Sequence, residues 1–159
     1  MSRSRSGRGP GPAVTPGSGT ALGPASACPC GLGGGYADCC GRFHGGAAHA
    51  PTAELLMRSR FAAFAVQEEA YLLRTWHVTT RPPQVGFDPN QRWTRLEILA
   101  TTGGSAFHTE GTVRFRAHYD QRGRAGVQEE DSTFARDDQG RWVYVDGVQA
   151  GSELRGNSR

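Results

Sequence analysis

Four cysteines lie within a segment of thirteen residues, and the chain has no others. They form a Cys-x-Cys pair and a Cys-Cys pair, which are separated by a loop of eight residues. Four thiolates at about 2.3 Å complete a tetrahedral Zn²⁺ shell, and the glycines of the loop permit the reversal that brings the pairs together. The spacing predicts one Zn²⁺ site per chain. Its expected ligands are Cys28, Cys30, Cys39 and Cys40.

The fourth ligand has an alternative, because His44 could replace Cys40 and the spacing does not distinguish them. Either set fills the shell and leaves no position for water, so we expect a structural Zn²⁺ and not a catalytic one. Two disulfides are the competing interpretation. They need an oxidising compartment, and adjacent or nearly adjacent cysteines bridge poorly for geometric reasons.

The sequence predicts a cytoplasmic protein. No apolar run approaches the roughly 18 residues of a membrane helix, and the N-terminus lacks the apolar region of a signal peptide. Residues 1–27 are rich in Gly, Pro, Ser and Arg and contain no acid, so we expect a disordered tail. The remainder is neutral, which argues against a basic nucleic-acid groove. The tail could still bind RNA weakly.

The helix signals follow a link over residues 41–50 that we expect to be flexible. Thr52 is suited to cap the N-terminus of a helix, with Glu54 in its first turn. An apolar stripe follows, but its phase would bring Glu68 onto the apolar face, so we predict a break near residues 66–67. A second short helix should then begin at Glu68 and Glu69 and extend to Trp76. The stripe comprises Met57, Phe61 and Phe64.

Beyond residue 91 the apolar period changes to two, which is typical of strands. One predicted strand carries Leu96, Ile98 and Ala100 on one face, and the next carries Val113, Phe115, Ala117 and Tyr119. Turn signals at 120–123 and 137–140 predict two more strands, near 124–136 and 141–146. Helices followed by an antiparallel meander indicate the α+β class. Residues 149–159 are expected to be a flexible end.

The cysteine segment resembles the SEC-C zinc motif found at the C-terminus of the bacterial preprotein-translocase ATPase. The matching residues are Cys28-Pro29-Cys30-Gly31, Tyr36 and Cys39-Cys40-Gly41. The resemblance implies three Cys ligands and a fourth Cys or His. Two loop positions that usually hold Ser and Lys are Leu32 and Gly34 here, so the motif's basic surface is not implied.

A wider stretch resembles the bacterial YchJ-like family, and the Leu-Met-Arg-Ser-Arg string at 56–60 lies within it. The other matching strings are Tyr71-Leu72, Thr75-Trp76-His77, Gly111-Thr112-Val113 and Gly140-Arg141-Trp142. The resemblance implies a SEC-C knuckle over 28–44, followed over 51–148 by a nuclear-transport-factor-2-like cone, a curved antiparallel sheet around helices. Where the family commonly has His-Glu in the third strand, this chain has Gln128-Glu129.

Few residues suggest chemistry within the cone. Arg58 and Arg60 point to different helix faces, so we expect one to be buried in an ion pair with a strand acid. The alternative is an anion-binding Arg at the cone mouth. The expected ion-pair acids are Glu97 and Glu129. The aromatic residues Trp93, Trp142 and Tyr144 are interpreted as core or sheet-face residues and not as a ligand cage.

A catalytic role would need an acid/base pair in a pocket. His77 is expected at a helix end, where its charged form is favoured. Its candidate carboxylate partners are Glu110, Glu129 and Asp131. The sequence has no phosphate-cradling loop, nucleophile elbow or metalloprotease helix. These observations favour a protein that is not an enzyme.

The sequence therefore predicts a zinc-binding cytosolic accessory protein that docks to a protein partner. SEC-C knuckles in other proteins are associated with secretory chaperones and ribosomes, so the resemblance implies a partner linked to secretion or translation. Small-molecule binding or enzyme activity in the cone pocket is one alternative, and weak RNA binding by the tail is another. The resemblance also implies a homodimer through the open sheet face.

Overall fold

The computed structural model describes residues 26–149, so the predicted tail up to residue 25 and the predicted flexible end from residue 150 lie outside the described residues. A 3₁₀ turn at Tyr36–Asp38 leads into three helices, α1 (Cys40–His44), α2 (Ala53–Val66) and α3 (Glu69–Arg74). Four strands follow, β1 (Gln91–Gly103), β2 (Glu110–Gln121), β3 (Arg124–Arg136) and β4 (Trp142–Gln149).

Helix α2 begins and ends where the sequence predicts. Thr52 caps it, because the Thr52 hydroxyl accepts a 3.1 Å hydrogen bond from the backbone N–H of Leu55. The helix ends at Val66, and Gln67 adopts a left-handed conformation with φ 61°. Helix α3 then begins at Glu69, as expected for an acid at a helix N-terminus. The predicted break is confirmed.

Helix α3 is shorter than predicted. It ends at Arg74, so Trp76 and His77 lie beyond its last residue. Backbone pairing with β4 draws the chain out of the helix: the Tyr144 N–H donates to the Thr75 carbonyl at 2.8 Å, and the His77 N–H donates to the Tyr144 carbonyl at 2.7 Å. The expected placement of His77 at a helix end is therefore wrong.

The segment predicted to be a flexible link instead contains helix α1 and contacts α3. Phe43 and His44 are buried. Arg74 of α3 donates from Nη2 to the carbonyl oxygens of Phe43 at 3.1 Å and His44 at 2.8 Å. These carbonyls belong to the last turn of α1, where the Phe43 oxygen also accepts from the N–H of Gly46 at 3.1 Å, and the arginine fastens this turn to α3.

The sheet is the predicted antiparallel meander, with strand order β1-β2-β3-β4. Strands β2 and β3 are joined by Arg122 and Gly123, both with positive φ (53° and 83°). Such a two-residue turn matches the right-handed strand twist. The predicted inward face of β2 is confirmed, since Val113, Phe115 and Ala117 are all buried.

Bulges bend the sheet around the helices. They interrupt the register between Trp93 and Arg95, between Ile98 and Ala100, and between Thr133 and Phe134. The second bulge ends the predicted alternation of β1 and leaves Ala100 exposed. Helix α2 packs against the concave face and α3 packs against α2, and the α+β cone is confirmed. Its core includes Leu56, Phe61, Leu72, Phe115, Phe134 and Trp142.

Helix α2, with 14 residues, is the longest in the described part of the chain. No helix within residues 26–149 combines the length and the apolar character that a membrane span requires.

Candidate functional site

The four cysteine side chains converge at one point beside α2. Ala27 pairs with Gly35, which places Cys28 and Cys30 on one side of the glycine loop, and Gly31 and Gly33 use positive φ values of 86° and 97° to turn it. The four Sγ atoms lie within 4.8 Å of one another, and all four thiols are free. The fold therefore brings together the four residues that the sequence predicts as ligands, Cys28, Cys30, Cys39 and Cys40.

This geometry fits a tetrahedral metal ion. Sulfurs bound at about 2.3 Å stand about 3.8 Å apart at the corners of a tetrahedron, and the Sγ atoms of Cys30 and Cys39 are 3.5 Å apart. A set of four thiolates selects Zn²⁺ or an iron–sulfur centre among the common metals. The four cysteines could thus hold one ion, with no coordination position left for a reacting water.

The electrostatics of the cluster also suit a cation. The neighbouring thiols of Cys30 and Cys40 donate hydrogen bonds that lower the pKa of Cys28, while hydrogen bonding to Cys28 raises the pKa of Cys40. The protein groups alone therefore favour one thiolate over its neighbours. A divalent ion would supply the positive charge that allows all four thiols to ionise.

Helix α2 holds the cysteine segment, residues 28–44, which we call the knuckle. Arg58 donates from Nη1 to the carbonyl oxygen of Cys30 at 2.9 Å and pairs through Nε with Glu54 at 3.0 Å. The methyl group of Ala62 packs among the buried cysteines. The knuckle is therefore part of the domain's packing and not a separate unit on a linker.

His44 is engaged in a way that favours Cys40 as the fourth ligand. Its Nε2 lies 2.9 Å from the carbonyl oxygen of Ser59, which can only accept, so Nε2 carries the proton. Its Nδ1 then accepts from the hydroxyl of Tyr36 at 2.6 Å. Burial lowers the pKa of His44, consistent with a neutral ring. Both nitrogens have partners, and neither is among the clustered ligand atoms.

A second feature lies on another face of α2. It is a cavity of about 250 Å³ between the helix and the concave face of the sheet, which we call the cone cavity. Its aromatic walls are formed by Phe61, Phe64, Trp76, Trp93, Phe115 and Tyr144. Its polar lining residues are Arg60, Gln128, Glu130 and Ser132.

Arg60 is buried, but not in the ion pair that the sequence predicts. Its Nη1 donates to the carbonyl of Leu72 at 2.9 Å and to the hydroxyl of Thr75 at 2.7 Å. Its guanidinium lies over the rings of Trp76 and Tyr144, at 5.0 and 4.7 Å from their centroids. Burial lowers the pKa of Arg60 to about 10, so the side chain remains charged at neutral pH. Within residues 26–149 no carboxylate forms a salt bridge with it.

The two acids predicted to pair with an arginine of α2 lie on the convex face of the sheet instead. Glu129 binds Arg114 at 2.8 Å and Arg116 at 3.1 Å. Glu97 lies 2.9 Å from His118. The hydrogen bonds from these neighbours lower the pKa of both carboxyls. The prediction of an ion pair between α2 and Glu97 or Glu129 is therefore wrong.

The comparisons with known proteins agree with this architecture. The protein-family model described as "YchJ, middle NTF2-like domain" matches residues 52–147. A UPF0225 protein from Streptomyces avermitilis is 64% identical over 124 residues, which cover 78% of this chain and 84% of that protein. The chain belongs to the YchJ-like family.

Two solved structures resemble this YchJ-like protein. The solution structure of a SEC-C motif containing protein from Rhodopseudomonas palustris has a TM-score of 0.66 and 30% identity, covering 77% of this chain and 97% of that one. The crystal structure of a SEC-C motif containing protein from Psychrobacter arcticus has a TM-score of 0.64, covering 77% and 82%. At 23% identity the second likeness supports the fold alone. The predicted family and fold are confirmed.

The structure does not bring the candidate catalytic residues of this YchJ-like chain together. The His77 Nδ1 lies 2.7 Å from the hydroxyl of Thr79. Glu110 begins β2 and is exposed, and Asp131 is exposed on the convex face beside Glu129. None of these residues lines the cone cavity. Of the three aromatic residues, Trp142 is in the core, and Trp93 and Tyr144 pack against the core from the sheet, as expected; the latter two also line the cavity.

Sequence reasoning missed the acid that does face the cavity, Glu130. It lies on the concave face of β3 with Gln128 and Ser132, while Glu129 lies on the other face. Six consecutive polar residues, at 128–133, conceal the alternation in this part of β3. Counting back in steps of two from the buried Phe134 would have identified Glu130, because alternate strand residues share a face.

Proposed function

We propose that this YchJ-like protein is a cytosolic accessory protein in which one structural Zn²⁺ stabilises the knuckle that docks to a protein partner. The cluster of four Sγ atoms within 4.8 Å carries the proposal. The ligands would be Cys28, Cys30, Cys39 and Cys40, and the bound ion would supply folding energy and not reactivity.

The shape of the knuckle supports a docking role. Three of the four cysteines are buried beside α2, whereas residues 31–34 are exposed and Leu32 at the loop is 52% exposed. A metal that fixes this loop would present Leu32 in one conformation, which lowers the entropy cost of binding. The SEC-C resemblance supports a partner linked to secretion or translation.

Site-specific photo-crosslinking tests the docking proposal. A photo-reactive residue in place of Leu32 should crosslink to one discrete protein. That protein, once purified, should bind the wild-type chain but not the Leu32→Glu variant. The matched control is Leu99→Glu, since Leu99 is also partly exposed, at 37%, and lies in β1 away from the knuckle. Equal binding by both variants would contradict docking through the knuckle.

The cone cavity supports a second function, the binding of a small molecule. Its volume of about 250 Å³ and its aromatic walls carry this proposal. No acid/base pair among the predicted catalytic residues lines it, so binding is better supported than catalysis.

Filling the cavity tests this second function. A fragment screen by ligand-observed NMR should give hits on the wild type that are lost in Ala117→Leu. Ala117 lines the cavity and carries no polar group, so a leucine there reduces the volume without removing a charge. Hits that persist in Ala117→Leu would bind elsewhere, and a screen with no hits would contradict the function.

Two further predictions remain open. A homodimer through the convex sheet face would cover the Arg114, Arg116 and Glu129 network, and sedimentation analysis at increasing salt would test it. RNA binding by the arginine-containing tail concerns residues outside the described part of the chain. It predicts affinity that falls steeply with salt.

A further inference from the structure

The charges of the cone cavity define the kind of molecule that it could hold. Arg60 and Glu130 both line the cavity and are both buried, at 3% and 9% exposure. They carry opposite charges, but no salt bridge forms between them. We call these two charged groups the poles of the cavity. A buried charge is costly unless it is compensated, so a bound molecule that interacts with both poles would be favoured.

The Arg60 pole offers hydrogen-bond donors. Both hydrogen bonds to Leu72 and Thr75 are donated by its Nη1. The indole Nε1 of Trp76, which also lines the cavity, is buried and has no partner in the described part of the chain. Buried donors without acceptors are rare. A hydrogen-bond acceptor on a ligand would satisfy this end.

The Glu130 pole offers an acceptor that the fold holds in place. Its Oε2 accepts from the hydroxyl of Ser132 at 2.8 Å and from that of Tyr144 at 3.3 Å. A Cβ at Gly147 would overlap Oε2, so the carboxylate occupies space that only glycine leaves on β4. All these partners are neutral. The negative charge therefore has no buried counter-charge in contact.

We propose that the cone cavity binds a net-neutral molecule with an apolar, aromatic body, whose acceptor group meets Arg60 and whose donor group meets Glu130. The inference rests on the small-molecule function proposed above. The two poles cancel in net charge, so a molecule with a single charge satisfies one pole and leaves the other unmatched. The aromatic walls select a flat ring, which packs edge-to-face or offset against them.

Four compounds that share a phenyl ring but differ in charge test this proposal. L-phenylalanine is a zwitterion, 3-phenylpropanamide is neutral, 3-phenylpropionate is an anion and phenethylamine is a cation. We expect both net-neutral compounds to bind at least about tenfold more tightly than either ion, as measured by NMR titration, because each ion leaves a buried charge uncompensated. The two neutral compounds distinguish a zwitterionic ligand from an amide-type ligand.

Removing one of the two charges should change which of the four compounds binds most tightly. In Glu130→Gln only the positive pole remains, so 3-phenylpropionate should become the tightest of the four. In Arg60→Met phenethylamine should become the tightest. The matched control is Glu129→Gln, the neighbouring residue on the opposite sheet face, which should leave the ranking unchanged. Thermal unfolding of each variant verifies that it is folded.

The outcomes separate the two proposals. If an ion binds the wild type most tightly, or if Glu130→Gln leaves the ranking unchanged, the charge-matching inference is wrong while the cavity still binds small molecules. If none of the four compounds binds although the fragment screen gives cavity hits, the inference is also wrong. If neither experiment gives binding, both proposals are wrong.

Discussion

Arg58 joins the candidate metal centre to the helix that supports the cone cavity, since its Nη1 donates a 2.9 Å hydrogen bond to the carbonyl oxygen of Cys30. The side chain is 15% exposed and its Nε pairs with Glu54. The other side of the same helix carries Met57, Arg60 and Phe61 into the cavity wall. Helix α2 therefore connects the two sites, and a change at one should be measurable at the other.

Arg58→Ala should destabilise the knuckle. A mostly buried hydrogen bond from a charged donor contributes about 1.5–3 kcal/mol, so the free energy of unfolding in urea should fall by about that amount. Transfer of zinc to a chelator should also become faster. The matched control is Arg92→Ala, because Arg92 is 67% exposed and pairs only at 3.6 Å with Asp120. Equal effects of the two substitutions would contradict the account.

Removing the metal should loosen α1 and α2 before the sheet. When the ion is removed, the sulfurs lose the bonds that hold them together and take up protons, which weakens the packing around Ala62 and the bond from Arg58. Hydrogen exchange measured by mass spectrometry should rise in α1 and in residues 58–62 after chelation, while the paired strands β2 and β3 remain protected. Unchanged exchange in α2 would show that the knuckle does not support the helix.

His44→Gln should retain zinc and lose stability. Both ring nitrogens of His44 have hydrogen-bond partners, Tyr36 and Ser59, so the substitution should cost about 1–3 kcal/mol without emptying the metal site. Metal analysis and urea unfolding of the same sample measure both effects. Loss of the metal from a folded His44→Gln variant would instead support His44 as the fourth ligand.

The pH dependence of that stability difference follows from the lowered pKa of His44. Burial keeps the folded ring neutral, whereas the unfolded ring gains a proton near pH 6.5. The unfolded state therefore binds more protons just below that pH, and the contribution of His44 is complete above about pH 6.5 and is lost as the pH falls. The stability advantage of the wild type over His44→Gln should narrow between about pH 7.5 and 5.5. A constant difference would contradict a neutral buried ring.

Gly147→Ala should displace the carboxylate of Glu130. The new Cβ would overlap Oε2, so we expect a loss of about 1–3 kcal/mol, typical of overpacking. In a Glu130→Ala background the same substitution should cost much less, because the overlapping atoms are gone. Gly86→Ala is the control, since nothing lies within 4 Å of its added Cβ. Additive costs in the double variant would show that the two residues do not share this space.

The sequence predicts best where a local pattern is strong. The Thr52 cap, the break at Gln67 and the inward face of β2 each depend on residues close in sequence, and each is confirmed. The cysteine cluster is local in the same sense, because its four members lie within thirteen residues and their spacing alone predicts that they converge.

Long-range contacts account for the errors. The end of α3 is set by backbone bonds between Thr75, His77 and Tyr144, which are about 70 residues apart in the chain. The inward orientation of Glu130 depends on the register of β3 against β2, where it lies opposite Phe115. The fixed position of residues 43–44, which the sequence predicts to belong to a flexible link, depends on hydrogen bonds from Arg74. The contacts of Thr75 and Arg74 leave no periodic signal in the sequence, and the period of two at Glu130 is hidden within a run of polar residues.

The central claim is that four cysteines hold one Zn²⁺, and native mass spectrometry with metal analysis tests it most directly. The protein would be purified without chelator and compared with a Cys39→Ser, Cys40→Ser double variant. We predict one Zn²⁺ for each wild-type chain and none in the variant. Wild-type protein that is free of metal and contains two disulfides, or a variant that keeps its metal, would contradict the account.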